Sequence, residues 1–192
     1  MTILIIGLIL FLSVHSISFL APGLRQTLQV RIGEAPYKGL AGAVGLIGFV
    51  LICWGYALAR VDVTPLYIPP VWTRHLALLI LLPVFPLLFA AYLPGRIQSW
   101  AKHPMLLAVI IWALAHLIAN GNQADVVLFG AFLAWALADR ISLTRRTEPP
   151  VQGAPPGKAN DLIAVVAGLL AYGAFFGWLH LWLIGVSPLG VR

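Results

Sequence analysis

Apolar positions along this chain fall in runs of about twenty residues, set apart by short segments that hold most of the polar and proline residues. The first run, Met1 to Ala21, lacks the basic lead and small-residue cleavage site of a signal peptide and reads as a retained span, ended by Pro22-Gly23. A loop with Arg25, Arg31, Glu34 and Lys38 follows. Lys38 to Arg60 is the second span, with Gly42, Gly45 and Gly48 at three-residue spacing and Gly55 beyond, residues that let helix backbones approach closely. Thr73 to Leu93 is the third, and Pro83 and Pro86 predict a kink in it. The central stretch runs from Lys102 to Asp125. It opens on Lys102-His103-Pro104, carries a fourth span over His103 to Ala119, and turns at Asn120 to Gln123 into a fifth that ends at Asp139. Residues 142–160 hold two Pro-Pro pairs, Gly153 and Gly157 and read as a flexible loop. Asp161 to Ile184 is the last span, with Gly173 and Gly177 on one face and His180 beyond them.

Composition turns this pattern into a class. The chain is 61% hydrophobic and 9% charged, whereas a soluble domain is about a quarter charged. The expectation is an all-α polytopic transmembrane bundle of about six spans, surrounded by the lipid bilayer. The loops are too short to fold alone, so residues 1–192 form one domain.

The net charge of +6 does not point to nucleic acid, because the basic residues sit in short loops beside apolar runs. Arg25, Arg31, Lys38, Arg96, Lys102, Arg140, Arg145, Arg146 and Lys158 fall in the odd-numbered loops. Arg60, Arg74 and Arg192 fall on the other side. This bias puts the odd loops in the cytoplasm and both termini in the periplasm, as in a bacterial inner membrane protein. A single cysteine, Cys53, excludes an internal disulfide and a cysteine-cluster metal site.

Candidate chemistry rests on five histidines. His75 and His103 lie at span starts, where a wetted imidazole costs little, and His180 lies near the end of the last span. His15 and His116 are deeper, and each must satisfy a donor and a lone pair away from bulk water. His116 shares a helix face with Trp112 and Asn120, and Asn120 is placed to orient its imidazole. His103 and His116 fall on nearly opposite faces of a straight helix, which excludes both from ligating one metal.

GEAPYKGL at Gly33 to Leu40, LICWGYALAR, TRHLALLILLP, YLPGRI, HPMLLAVIIWALAHLIANG and FLAWALADR together resemble the NnrU family of bacterial membrane proteins. That family is associated with denitrification and nitric-oxide metabolism. It is similar in turn to the 15-cis-ζ-carotene isomerases, membrane enzymes that use haem b. The resemblance implies haem b held by His15 and His116 as axial ligands, with Asn120 supporting His116. On opposed helices the two rings differ in depth by about 10 Å, an offset that ligands on opposite faces of one iron can span. The isomerases look to have a cysteine three residues before the second histidine. Here that position is Ala113, which weakens the transfer of isomerase activity more than that of haem.

Three functions follow as expectations. The first is a haem protein acting on a hydrophobic polyene or on nitric oxide. The second is a non-catalytic assembly factor that docks on a membrane partner in nitrogen-oxide reduction. The third is an isoprenylcysteine methyltransferase-like enzyme, to which Lys102-His103-Pro104 bears some likeness. Its acidic residues would have to be Asp139 and Asp161.

Overall fold

The computed structural model describes residues 1–146, 151 and 153–188. The proline pair at 149 and 150, and the arginine at 192 used in the charge count, lie outside the described residues. The helices are α1 (Thr2–Leu20), α2 (Pro22–Ile32), α3 (Glu34–Ala59), α4 (Trp72–Leu81), α5 (Val84–Ala90), α6 (Arg96–Ala101), α7 (Pro104–Ala119), α8 (Gln123–Ser142), α9 (Asn160–Ala174) and α10 (His180–Ile184), with a π-helical turn at Phe175–Leu179 joining the last two. No strand occurs among the described residues.

Four segments are long and apolar enough to cross a bilayer: Thr2–Leu20, Glu34–Ala59, Trp72–Ala90 and Asn160–Ile184. Of the two other expected spans, α7 is an apolar helix below that length and α8 falls outside that set. Helix α7 is short at 16 residues, and α8 carries Asp125, Asp139 and Arg140. The protein is thus an all-α membrane bundle. One segment differs from the sequence reading. The loop after the first span is the eleven-residue helix α2, because Pro22, read as a terminator, also suits the first turn of a new helix.

The chain divides into two compact units. The first comprises Met1–Tyr67 and Gly121–Ser142, and the second Ile68–Asn120 and Leu143 onward.

In the first unit α1 packs along α3 through glycines. A Cβ at Gly7 would lie 2.6 Å from the Ile52 nitrogen, and one at Gly48 would lie 2.7 Å from the Phe11 nitrogen. One at Gly55 would strike the Leu4 backbone. Gly48 and Gly55 are seven apart and so stay on one helix face, while the three-residue series winds off it. Gly42 accordingly has no neighbour within 4 Å. Helix α8 lies against α1, with Phe11 meeting Phe132 at 5.7 Å and His15 meeting Trp135 at 6.2 Å between ring centroids. Since both numbers rise together, the two helices run in the same direction.

The loops after α3 and before α8 clasp each other. Leu66 N and Tyr67 N donate to the Gly121 carbonyl, Gln123 N donates to the Thr64 carbonyl, and Pro65 and Asn122 form an isolated bridge. Gly121 has no room for a Cβ against the Tyr67 carbonyl. Within the same unit the Tyr56 hydroxyl donates to Asp125 Oδ1 at 2.6 Å. Asp125 is only 5% exposed. Partial burial and the nearby Asp125 charge push the Tyr67 phenol above its ordinary pKa.

In the second unit Val84, Leu87, Ala101 and Ala108 form a buried cluster, with Ile111 and Trp112 packed on it. The kink predicted in the third span is a break between α4 and α5. Pro83 has no N–H for the Leu79 carbonyl, and Leu82 N takes that carbonyl instead, at 3.3 Å. The Leu78 carbonyl is left over, and the Tyr172 hydroxyl of α9 donates to it at 2.9 Å. Nearby Gly168 lets α9 touch the Pro86 backbone.

The loops flanking α6 and α9 also meet. Ala154 N donates to the Tyr92 carbonyl. The Asn160 amide donates to the Pro94 and Pro155 carbonyls. Asp161 accepts from the Arg96 and Ile97 amides at 2.9 and 3.0 Å, capping α6 from a distance. In each unit the loops that touch are ones the alternation of spans assigns to the same side of the membrane.

Candidate functional site

His15 lies on α1, five residues before its end. Its Nδ1 is 2.7 Å from the Phe11 carbonyl oxygen, one turn earlier. A carbonyl oxygen only accepts, so Nδ1 carries the proton and the neutral ring keeps its lone pair on Nε2. The ring stacks on Phe11 at 4.1 Å and meets Trp135 edge-on, with an interplanar angle of 88°. Gly45 keeps the neighbouring helix clear, since even an added Cβ there would sit 3.6 Å from His15 Cε1. The imidazole is nonetheless exposed, and Nε2 has no hydrogen-bond partner among the described residues.

His116 lies on α7, in the second unit, and is half-buried. Its Nδ1 is 2.8 Å from the Trp112 carbonyl oxygen, and the ring leans on the Trp112 indole at 5.2 Å. The same tautomer follows. Asn120 is close by: its side-chain amide donates to the His116 backbone carbonyl at 3.0 Å, and its own N–H donates to the same oxygen. The acceptor at Nδ1 is therefore a backbone group, and the described amide bond caps the end of α7.

The structure thus gathers His116, Trp112 and Asn120 in one unit, and His15 with Phe11, Gly45 and Trp135 in the other. The remaining histidines are separate. His75 is exposed on α4, His103 precedes α7 as its N-cap, and His180 Nδ1 is 2.7 Å from the Val186 carbonyl oxygen. Cys53 is an exposed thiol on α3. Both Asp161 oxygens accept backbone amides, and Asp139 Oδ1 accepts from the Ser142 hydroxyl.

A family described as NnrU protein matches residues 3–188. The chain belongs to the NnrU family. Neither the curated proteins nor the solved structures contain a match to it.

The donor chemistry of this NnrU chain can be tested against haem. Among the described residues no three His, Cys, Asp or Glu side chains gather as a bare metal ion needs. A tetrapyrrole brings its own equatorial nitrogens and asks the protein for one or two axial imidazoles. A metal-bound histidine usually donates its other ring N–H to a carbonyl or carboxylate, which fixes the tautomer. His15 and His116 each have that arrangement, so the donor chemistry of each suits an axial ligand.

Two features escaped sequence reasoning. The partly buried Tyr56–Asp125 bond joins residues 69 apart. Trp135 Nε1 is buried with no hydrogen-bond partner among the described residues. Its only signal in the sequence was the FLAWALADR block of the family resemblance.

Proposed function

We propose that this NnrU-type membrane protein binds haem b through His15 and His116, with Asn120 beside His116, and acts on a hydrophobic polyene or on nitric oxide. The observation that carries this reading is the shared Nδ1 bond to the carbonyl four residues earlier, which puts the proton on Nδ1 in both neutral rings, the tautomer an iron-ligating histidine needs. When bound, the iron would supply a Lewis-acid or redox centre. The chain's part is to fix the two imidazoles. The Phe11 and Trp112 carbonyls set their tautomers, and the aromatic rings of the same residues limit their rotation. Ala113 is fully buried and puts no thiol near His116, so haem binding is better supported than isomerisation.

The bias of basic residues toward the odd-numbered loops supports an orientation with both termini in the periplasm of a bacterial inner membrane. A second reading, a non-catalytic assembly factor, is favoured by Gly173 and Gly177. Neither has an atom within 4 Å of an added Cβ, which leaves a small-residue face open to a partner helix.

The test is optical. The protein is purified in mild detergent from haem-supplemented cells. The expected result is a Soret band, lost or shifted in His15→Ala and in His116→Ala. A wild-type protein that stays colourless would falsify haem binding and favour the assembly role.

A further inference from the structure

The second unit has an open cavity of about 820 Å³ where α6 meets the loop before α9. Arg96, Gln98 and Ser99 line it from α6, and Gly157 and Lys158 line it from the loop. Its neutral side chains are already engaged. The Gln98 amide donates to the Ala91 carbonyl, and the Ser99 hydroxyl donates to the Gly95 carbonyl, each at 3.0 Å. The two cations are not engaged. Both are exposed, and among the described residues neither Arg96 nor Lys158 forms an ion pair. The acid beside them, Asp161, uses both oxygens on the Arg96 and Ile97 backbone amides. The cavity therefore keeps a net positive charge. Its walls are fixed by the Ala154 bond to the Tyr92 carbonyl at 2.9 Å and by the Asn160 bonds to the Pro94 and Pro155 carbonyls.

One membrane-crossing segment ends at Ala90 and another begins at Asn160. The lining residues follow the first end and precede the second start, so the cavity lies where two spans leave the hydrocarbon, at headgroup depth. Trp100, on the same short helix, is 78% exposed, as suits an indole at that interface. We propose that this cavity binds the phosphate of an anionic phospholipid from the adjoining leaflet, held between the Arg96 guanidinium and the Lys158 ammonium. The assignment does not depend on haem. A phosphodiester carries a negative charge and oxygens that only accept, which matches a guanidinium fork and an ammonium. A zwitterionic headgroup brings a cation of its own, which two unpaired cations disfavour. A glycerol headgroup brings none, so phosphatidylglycerol fits best. Its acyl chains need no groove, because the bilayer already holds them. The bias of basic residues assigns this loop side to the cytoplasm, where basic pockets between spans collect such headgroups.

The experiment follows bound lipid by native mass spectrometry of the full chain in mild detergent. The probes are dioleoyl phosphatidylglycerol, dioleoyl phosphatidylcholine and inorganic phosphate. Wild type is compared with Arg96→Gln/Lys158→Gln and with Arg25→Gln/Arg31→Gln, which loses the same charge in the other unit. Charge-assisted bonds to the phosphate predict that wild type holds phosphatidylglycerol about ten- to a hundredfold more tightly than phosphatidylcholine. The Arg96/Lys158 variant should lose most of that preference, and the Arg25/Arg31 variant should keep it. Equal loss in both double variants would reduce the effect to net charge and overturn the site. Inorganic phosphate bound as tightly as phosphatidylglycerol would make the occupant a soluble anion and overturn the lipid assignment. Equal affinity of wild type for the two lipids refutes it without any variant. Should the Arg96/Lys158 variant not fold, Lys158→Gln alone, on an exposed loop position, must still weaken phosphatidylglycerol about fivefold. Unchanged affinity there sinks the proposal.

Discussion

Removing the Tyr56 hydroxyl should destabilise the first unit more than its small size suggests. Tyr56→Phe keeps the ring, and with it the Arg60 guanidinium that sits 6.0 Å from the ring centroid. What is lost is one donor, 2.6 Å from an oxygen of the 5%-exposed Asp125. A hydrogen bond to a charged group contributes about 1.5–3 kcal/mol, and a carboxylate stripped of its donor also bears its desolvation. We expect a loss of about 2 kcal/mol, which for a chain of this length is about 4–8 °C in melting temperature. Asp125→Asn keeps an acceptor of the same shape and should cost about 1 kcal/mol. The assay is thermal unfolding in detergent, followed by tryptophan fluorescence, on both single variants and the double. If the bond matters, the double variant loses less than the sum of the singles by at least about 1 kcal/mol. Additivity within about 0.5 kcal/mol would refute the reasoning, because it would mean the phenol and carboxylate do not depend on each other.

Two further outcomes follow from the loops. Asp161→Ala should cost about 1 kcal/mol, the usual loss for an N-cap, and should speed hydrogen exchange at the Arg96 and Ile97 amides; unchanged exchange would remove the capping role. In a Cys53→Ser background, a cysteine at the exposed Asp62 position should react with a membrane-impermeant maleimide added to the periplasmic side, and one at Lys158 should not. The reverse pattern would invert the orientation.

Much of the fold was legible because lipid constrains a sequence so strongly. Runs of apolar residues give the spans, and Pro83 gives the break in the third, since a missing N–H acts locally whatever surrounds it. The turn at Asn120 was legible for the same reason. The glycine contacts were only half legible. Gly48 and Gly55 were visible as small residues, but that they and not Gly42 meet α1 depends on where the neighbouring helix lies. The open Gly173 and Gly177 make the same point, because small residues permit contact without compelling it. At the candidate site the residue types were readable and their bonding was not. Any helical histidine can reach the carbonyl four residues back, and nothing in the letters says that His15 and His116 both do. Asp161 looked like the edge of a loose linker, yet its carboxylate holds a helix 65 residues away in sequence.

The Leu78 carbonyl carries an implication for biogenesis. Its acceptor site opens as soon as the third span enters the bilayer, because the break at Pro83 belongs to that span alone. Its donor, Tyr172, is 94 residues further along and has not yet been translated. During that interval an unmet peptide oxygen in hydrocarbon is unfavourable, so the early segment has reason to linger beside water or the insertion machinery. Release into the lipid then waits on the ribosome, and the last helix to be made completes one of the first to be inserted.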